Sequence, residues 1–390
     1  MIVLHVAREP YTGPWYFIKH LAAAQLRHGY TPVLGILAGP RWPYWQELSE
    51  INCRSLTATT PNCSGTVAHL YHRFGPNPVS KWVAALLEGD QTGGSKKLVC
   101  HFHNGWLAGS LLPPAGAVAG VREVVTFHGP PIAGSLERQP LRKAIHRGWA
   151  RRLVRRGAVL ISVDEATPAQ VEQTLDVNRS LFHVIHNGIP IHETATVCAP
   201  PPPWVIGYAG ALVESKGWHI AAGAAELLVR RGWPVRFLLA GLGPDRERAA
   251  AWCAERKDWA VFHGYVPDAG RDFIPKMHIT CLPSVSEGMP LVVLEAMACG
   301  VVPVTTSVGG LRALSTGSGG VIAGRSIEEF ASAIEALITN EREYAARSSL
   351  GRETVRRCFS IERTCAEYAA AYEAIIENAT EAKSLHASTT

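Results

Sequence analysis

Two glutamates, Glu287 and Glu295, lie on either side of the start of a predicted helix. The apolar run 279–282 predicts a buried strand just before them. Pro290 predicts the first helical position, where its missing N–H costs no intrahelical hydrogen bond. The unpaired amides of such a helix start lie at the positive end of the helix dipole and can bind a diphosphate. In this interpretation one carboxylate faces the group beyond the phosphates and the other binds vicinal hydroxyls, as on ribose.

The alternative is structural: Glu287 would only complement the helix dipole and Glu295 would be a solvated helix residue. The anion-site interpretation assigns free amides at residues 289, 291 and 292. The predicted donor-binding segment comprises Gly288, Met289, Pro290, Leu291 and Val292.

The site residues must be held in place by the strands and helices that the sequence predicts, and these alternate along the chain. Strand-like runs before residue 190 are apolar on both faces, which favours a parallel sheet covered by helices. The alternation restarts after the proline-rich segment 198–203, which can neither continue a helix nor join the middle of a sheet. We therefore expect an α/β fold of two Rossmann-like, doubly wound domains facing across a cleft, where the carboxyl ends of the strands bind ligands. The pattern of residues 38–95 supports no assignment of strands or helices.

The predicted boundaries follow from this pattern. They are an N-terminal domain at 1–197, a hinge at 198–203, a C-terminal domain at 204–359, a helix at 360–380 that packs back on the first domain, and a tail at 381–390.

Composition is that of a globular protein: of 390 residues, 47% are hydrophobic and 18% charged. The net charge of +5 favours anionic partners such as phosphates or acidic lipid but is too weak to argue for nucleic acid. Nine scattered cysteines without CxxC spacing indicate free thiols in a reducing compartment. The apolar run at residues 1–7 is too short for a signal peptide, and no stretch is suited to span a bilayer. We expect a cytoplasmic protein.

The segment Glu287 to Glu295 resembles the E-x7-E motif of the GT-B fold, family 4 glycosyltransferases. Further segments in register resemble that family's landmarks: Tyr208–Gly217, Leu238–Pro244, Val261–Val266, His186–Ile189 and Thr126–Gly129. The resemblance covers the C-terminal half strongly and the N-terminal half loosely. It implies a retaining transferase that uses a nucleotide diphosphate sugar and needs neither a metal nor another cofactor.

Site roles follow from the same resemblance. Lys216 and backbone amides would neutralise the departing diphosphate, Glu287 would contact the sugar hydroxyls, Glu295 the ribose, and His128 the donor sugar. The leaving phosphate would serve as the base for the incoming hydroxyl. The remaining predicted donor-binding residues are Gly13, Gly210, Gly241, Gly264 and Val266.

One position departs from the family pattern: Ala211 stands where an arginine usually shares the diphosphate with lysine. Lys216 would then act without a second cation unless Arg8 or Arg312 substitutes. A point-charge lysine lacks the bidentate geometry of a guanidinium, so weaker donor binding is expected. Loss of catalysis is the less favoured consequence.

Two other features of the sequence could serve a function. His101 and His103 alternate on a predicted strand, so their rings share a face, but without a nearby carboxylate they are interpreted as core or cleft-lining residues. The basic helix within 141–156 carries apolar residues at helical spacing (Leu141, Ile145, Trp149 and Leu153). It predicts either contact with an anionic membrane surface or a solvated amphipathic helix.

The sequence thus predicts a transferase acting on a hydroxyl acceptor, in the setting of bacterial envelope polysaccharide or lipopolysaccharide synthesis. The alternatives are an epimerase-like GT-B enzyme, which would convert a donor without an acceptor, and a non-catalytic nucleotide-sugar-binding protein. A glycosidase is poorly supported, because Glu287 and Glu295 are not placed to flank a scissile bond.

Overall fold

The computed structural model describes residues 1–8, 13–38, 53–59, 77–88, 97–104, 111, 121–130, 140–191 and 202–387. The chain divides into two compact units. The first comprises Met1–His186 with Ile361–Thr390, and the second comprises Asn187–Ser360. We call them unit 1 and unit 2.

Unit 1 contains a seven-stranded parallel sheet in the order β3-β2-β1-β4-β5-β6-β7. Its strands are β1 (Ile2–Arg8), β2 (Thr31–Ala38), β3 (Arg54–Thr59), β4 (Leu98–His103), β5 (Val121–Phe127), β6 (Val159–Ser162) and β7 (Phe182–Val184). All six residues of β4 are buried, as expected of a central strand covered on both faces.

Unit 2 contains a six-stranded parallel sheet in the order β10-β9-β8-β11-β12-β13. Its strands are β8 (Trp204–Ala209), β9 (Val235–Ala240), β10 (Ala260–Gly264), β11 (Ile279–Leu282), β12 (Val302–Thr305) and β13 (Val321–Ile322). In both sheets the strand order reverses beside the first strand, which is the doubly wound arrangement that the sequence predicted.

The helices, in chain order, are α1 (Gly13–Arg27), α2 (Pro78–Glu88), α3 (Pro140–Arg155), α4 (Thr167–Leu175), α5 (Trp218–Arg230), α6 (Arg246–Ala254), α7 (Ala269–Asp272), α8 (Leu291–Ala298), α9 (Leu311–Ser315), α10 (Ile327–Ile338), α11 (Glu341–Cys358) and α12 (Ile361–Ala387). Single 3-10 turns cover Arg179–Leu181, Glu214–Lys216 and Ile274–Lys276. Among the described residues, no helix combines the length and the hydropathy needed to cross a bilayer.

The two faces of the unit 1 sheet differ in chemistry. Alternate residues of the central strands, such as Leu4, Cys100 and Val125, form an apolar core with α2, α3 and α4. The other residues of the same strands face α1 and α12, and several of them are histidines. Because side chains alternate along a strand, the apolar and polar sets are separated by the sheet itself.

The division between the units falls after His186, upstream of the predicted hinge at 198–203, of which residues 198–201 lie outside the described part of the chain. Residues just after His186 already belong to unit 2 because they form hydrogen bonds with it. Asn187 Nδ2 donates to the carbonyl of Met289 over 2.7 Å, and the amide of Ile189 donates to the carbonyl of Phe359 over 3.0 Å. The chain returns after Ser360: α12 packs against α1, and Glu362 pairs with Arg27 over 2.6 Å.

The predicted strand at 279–282 is β11, and the α/β class with two parallel sheets is confirmed. In the region without a prediction, 38–95, the structure places β3 and α2. The seven cysteines within the described residues are all free thiols.

Candidate functional site

Lys216 and Glu287 form an ion pair in unit 2, with 2.6 Å between Nζ and Oε1. The lysine side chain is 32% exposed and the glutamate 11%. Lys216 ends the 3-10 turn after β8, and Glu287 lies in the loop after β11, so two parallel strands present their carboxyl-end loops to each other. The same Oε1 accepts a hydrogen bond of 2.6 Å from Ser284 Oγ. Glu287 is therefore held in place by a cation and a hydroxyl.

The loop that carries Glu287 is fixed from several sides. The amide of Val285 donates to the carbonyl of Ser215 over 2.9 Å, and Thr306 Oγ1 donates to the carbonyl of Ser284 over 2.6 Å. The amide of Gly310 donates to the carbonyl of Gly288 over 2.8 Å. A loop whose backbone is paired in this way is preorganised, which is what a charge-binding site requires.

Arg325 reinforces this arrangement and was missed from the sequence. Its Nε donates to the carbonyl of Pro283 and its Nη2 to the carbonyl of Glu214, both over 3.0 Å. The guanidinium thereby ties the Lys216 turn to the end of β11. Because it follows β13 at a distance of more than a hundred residues from Glu214, no local pattern indicates this contact.

The start of α8 differs in detail from the prediction. Pro290 is the residue before the helix, with φ −73° and ψ 123°, and the first helical residue is Leu291. The predicted first-turn position of Pro290 was wrong by one residue, because an extended ψ at proline places it outside the helix. Among the described residues no acceptor lies within hydrogen-bonding distance of the amides of Leu291 and Val292, as the first turn of a helix leaves them.

Met289 and Gly288 complete this segment. Met289 is buried, and its carbonyl accepts the hydrogen bond from Asn187. The backbone before α8 is therefore held on both sides, by Asn187 at residue 289 and by Gly310 at residue 288. The helix presents its positive end from a rigid loop, which is favourable for an anion.

Three predicted glycines meet at the ends of adjacent strands of unit 2. The amide of Gly241 donates to the carbonyl of Gly264 over 2.8 Å, and the amide of Gly210 donates to that of Ala240 over 3.1 Å. Gly241 has a φ of 152°, and a Cβ there would overlap the carbonyl oxygen of Gly210. The three turns are joined by these backbone hydrogen bonds at the edge where β8, β9 and β10 end, and the close approach at Gly241 leaves no room for a side chain.

Glu295 is half-buried on α8, beside the backbone of Gly270 and in the same region as Val266 and Val292, which pack on one apolar cluster. Burial, followed by the charge of Asp268, raises the pKa of Glu295 to about 7. Among the described side chains and amides, none donates a hydrogen bond to its carboxylate. Glu295 is therefore an acceptor available to a ligand hydroxyl, at an energetic cost to the ionised form.

Ala211 is exposed, and its carbonyl accepts a 2.8 Å hydrogen bond from Tyr208. Of the two arginines considered as replacements for the family's arginine, Arg312 is exposed on α9 and the side chain of Arg8 lies outside the described residues. Gly13 begins α1 in unit 1, is exposed, and has open space where a side chain would be.

His128, the predicted sugar contact, follows β5 in unit 1 and belongs to a row of polar side chains on the α1 and α12 face of the sheet. We call this set the histidine row; it consists of His5, His101, His103, His128, Gln25, Thr126, Tyr368 and Tyr372. The sheet register accounts for it, since His5 is aligned with His101 and His103 with Thr126. From the sequence, His101, His103 and His128 were singled out but His5 was not. The one sign of His5 in the sequence is that it is a polar residue within the otherwise apolar run of β1.

Hydrogen bonds connect the whole row. The nitrogen–nitrogen distances are 2.9 Å between His5 Nδ1 and His103 Nε2 and 3.0 Å between His103 Nδ1 and His128 Nε2. His5 Nε2 lies 2.8 Å from Gln25 Oε1, and Gln25 Nε2 lies 3.4 Å from the Tyr372 hydroxyl. That hydroxyl lies 2.7 Å from His101 Nδ1, and His101 Nε2 lies 2.7 Å from Thr126 Oγ1. Thr126 in turn bonds Tyr368 over 3.0 Å.

Three of these histidines satisfy the distance requirement for a metal site, because one nitrogen each from His5, His101 and His103 lie within 4.8 Å of one another. All six of their ring nitrogens, however, already have protein hydrogen-bond partners. Burial is the main cause that lowers their pKa values, to about 4 for His5 and well below the ordinary range for the other two. The row therefore fits neutral imidazoles bonded to one another.

The basic helix α3 packs its apolar side inward. Trp149 and Leu153 are buried, whereas Leu141 is 73% exposed. Two of its arginines are engaged within unit 1: Arg151 pairs with Asp176 over 2.9 Å, and Arg147 Nε donates to the carbonyl of Thr174 over 3.3 Å. The apolar face is thus largely used by the core, and the outward face is cationic.

Comparison with known proteins agrees with this architecture. The family model described as Glycosyltransferase Family 4 matches residues 12–193, and the one described as Glycosyl transferases group 1 matches residues 203–340. Among solved structures, Anabaena Alr3699/HepE in complex with UDP and glucose has a TM-score of 0.71 at 18% identity, covering 96% of this chain and 100% of that one. The fold is GT-B, and the protein is a glycosyltransferase. It belongs to family 4.

Relatives of the chain carry different names. D-inositol 3-phosphate glycosyltransferase of Corynebacterium urealyticum is 24% identical over 330 residues, 77% of each chain. Lipopolysaccharide core biosynthesis mannosyltransferase LpsB of Rhizobium meliloti is 29% identical over 252 residues, 59% of this chain and 70% of that one. Both relatives are glycosyltransferases, and they are named for different activities.

Proposed function

We propose that this protein transfers a sugar from a nucleotide diphosphate sugar to a hydroxyl acceptor with retention at the anomeric carbon. The observation that carries the proposal is in unit 2. Lys216 is held 2.6 Å from Glu287 at the strand ends, and Glu287 lies in the loop just before the unpaired amides that begin α8. A cation paired with the loop that leads into free helix amides is suited to a diphosphate.

In the proposed reaction the bond between the anomeric carbon and the diphosphate oxygen breaks, and the acceptor oxygen bonds to that carbon on the same face. The acceptor proton passes to an oxygen of the leaving phosphate. Lys216 and the amides of Leu291 and Val292 stabilise the charge that grows on the diphosphate, which is the interaction that strengthens in the transition state. With these positive groups present, the proposal requires no metal.

The other predicted residues take binding roles. Glu295 accepts hydrogen bonds from the ribose diol, for which its unpaired carboxylate is suited. Glu287 contacts the sugar hydroxyls while it stays paired with Lys216. His128 accepts a hydrogen bond from a hydroxyl of the substrate. UDP and glucose in the Anabaena structure support a nucleotide sugar as the donor class, without fixing the base for this chain.

For the acceptor we propose a bacterial envelope saccharide or lipid-linked glycan, which the lipopolysaccharide role in the name of the Rhizobium relative supports. A cytoplasmic enzyme would meet such an acceptor at the inner face of the membrane. Since the apolar side of α3 is largely buried, that contact would be electrostatic, through its outward cations. Cosedimentation with anionic vesicles at low salt, and release at high salt, is the expected result; no sedimentation at low salt contradicts it.

A second candidate, a nucleotide-sugar-binding protein without turnover, is favoured by Ala211 alone. It predicts donor binding with no product for any acceptor. An epimerase-like enzyme would instead change the donor sugar in the absence of acceptor.

Thermal unfolding with a panel of nucleoside diphosphates and their sugars, in EDTA, tests the donor site. A ligand that binds only the folded protein raises the unfolding midpoint, and at a fixed concentration the rise grows with the logarithm of its affinity. We expect one base to stand out for the wild type and the shift to be lost in Lys216→Ala and Glu295→Ala. Lys257→Ala, an exposed lysine of the same unit, is the matched control and should keep the shift. No shift with any nucleotide would contradict the proposal.

A further inference from the structure

The hydrogen bonds of the histidine row all run in one donor-to-acceptor direction, and the amide of Gln25 determines that direction. Gln25 is buried, its Nε2 donates to the Tyr372 hydroxyl, and its Oε1 lies 2.8 Å from His5 Nε2. A carbonyl oxygen can only accept, so the proton of His5 must be on Nε2.

A neutral imidazole has a single N–H, which fixes each following ring. His5 Nδ1 is an acceptor, so its partner His103 Nε2 carries the proton. His103 Nδ1 is then an acceptor, and His128 Nε2 carries the proton of the next hydrogen bond. At the end of the row, His128 Nδ1 is left with a lone pair.

His128 Nδ1 is buried and has no hydrogen-bond partner among the described residues. The rings are neutral because burial lowers their pKa values, to about 4 for His5 and to about 3 for His128. Rotating the Gln25 amide would reverse every hydrogen bond and leave a buried N–H at His128 without an acceptor. Orphaned buried N–H groups are rarer than unfilled acceptors, which favours the first direction.

We propose that Gln25, His5 and His103 are positioning residues that hold His128 as a hydrogen-bond acceptor at Nδ1, so that its ligand group is a hydroxyl. An acceptor nitrogen repels a phosphate or carboxylate oxygen, so His128 takes no part in binding the diphosphate. The tautomer of His128 follows from the hydrogen bonds alone and does not depend on the proposed transferase function. Only the identification of the hydroxyl as one of the substrate's rests on that function.

The tautomers can be measured without any substrate, by two-bond ¹H–¹⁵N correlation NMR on protein with ¹⁵N-labelled histidine. We expect His5, His101, His103 and His128 all to be neutral Nε2–H tautomers at pH 7. Single histidine replacements assign the signals. An Nδ1–H tautomer at His128, or a protonated ring at pH 7, overturns the proposal, as does stoichiometric Zn²⁺ binding that displaces these signals.

Interrupting the row tests the positioning role. In His103→Phe we expect His128 to lose its single tautomer and kcat/KM for the transfer to fall about tenfold. Tyr368→Phe is the matched control, since it removes a buried hydroxyl of the same row whose one hydrogen bond within the described residues is to Thr126. Tautomer and rate should both persist. If His103→Phe does not fold, Gln25→Met is used in its place. Gln25→Glu keeps an acceptor oxygen toward His5 and should therefore restore the wild-type tautomer.

The outcomes separate the two proposals. Nε2–H tautomers in a protein that turns over no nucleotide sugar would leave the row intact and refute the transferase function. Turnover with an unchanged His128 tautomer in the interrupted variants would refute the positioning role.

Discussion

Glu295 should make the protein less stable as the pH rises, and Glu295→Gln should remove the effect. Burial raises the pKa of Glu295 from its ordinary value of 4.5 to about 7. The folded state therefore binds the proton more tightly than the unfolded state between these values. The free energy of unfolding must then fall as the pH rises from 4.5 to about 7 and level off above it.

The size of the effect follows from the same shift. Each pH unit in the window is worth about 1.4 kcal/mol, so the full contribution is about 3 kcal/mol as an upper bound. Glu295→Gln should match the wild type near pH 4.5 and exceed its stability by up to about 3 kcal/mol at pH 8. Urea unfolding followed by tryptophan fluorescence at pH 5, 6, 7 and 8 measures the difference.

Glu328→Gln is the matched control, since Glu328 is an exposed carboxylate on α10 and should show no such difference. A stability gap between wild type and Glu295→Gln that is constant with pH would refute the reasoning. Binding adds a second test. If only the ionised carboxylate binds the ribose diol, affinity for a nucleoside diphosphate should rise about tenfold from pH 6 to pH 8. Its 2′-deoxy analogue should show a smaller rise.

Three further predictions concern the same unit. Lys216→Met should lower kcat by about 10²- to 10³-fold, the usual cost of losing a preorganised charge partner, while Lys257→Met should not; steady-state kinetics decide. Gly241→Ala should cost about 2–5 kcal/mol in urea unfolding, because its φ of 152° is strained for alanine and the Cβ overlaps the Gly210 carbonyl. Gly232→Ala, with φ 87° and open space, should cost only about 1 kcal/mol. Ser284→Ala should cost about 1–2 kcal/mol, since Glu287 loses a hydroxyl donor but keeps Lys216; equal stability in unfolding would contradict the contact.

Much of the fold could be predicted because strand runs buried on both faces are visible as continuous apolar segments. β11 and β12 are examples, with every residue buried. Short strands carry no such signal: β13 has two residues and was not predicted. No local pattern indicates that Asn187 and Ile189 belong with unit 2, because the residues that they contact, Met289 and Phe359, lie far along the chain.

The parts of the candidate site that follow from local sequence patterns could be predicted. The parts that depend on contacts between residues far apart in the chain could not. The helix start after β11 is a local feature, and it lies within one residue of its predicted position. The ion pair between Lys216 and Glu287 joins positions 71 residues apart, and only the sheet order β8-β11 brings their loops together. His5 was missed for the same reason, since a histidine in an apolar strand gains a meaning only when β4 is aligned beside it.

The most direct test of the transferase account is product analysis with the donor that gives the largest thermal shift. The purified protein is incubated in EDTA with that nucleotide sugar and a panel of hydroxyl acceptors, and nucleoside diphosphate release and the anomeric configuration of the product are measured by NMR. If the protein is a retaining transferase, the nucleoside diphosphate is released only when an acceptor is present. The product then has the same anomeric configuration as the donor. Inversion at the anomeric carbon, or tight donor binding with no product for any acceptor, would contradict this account.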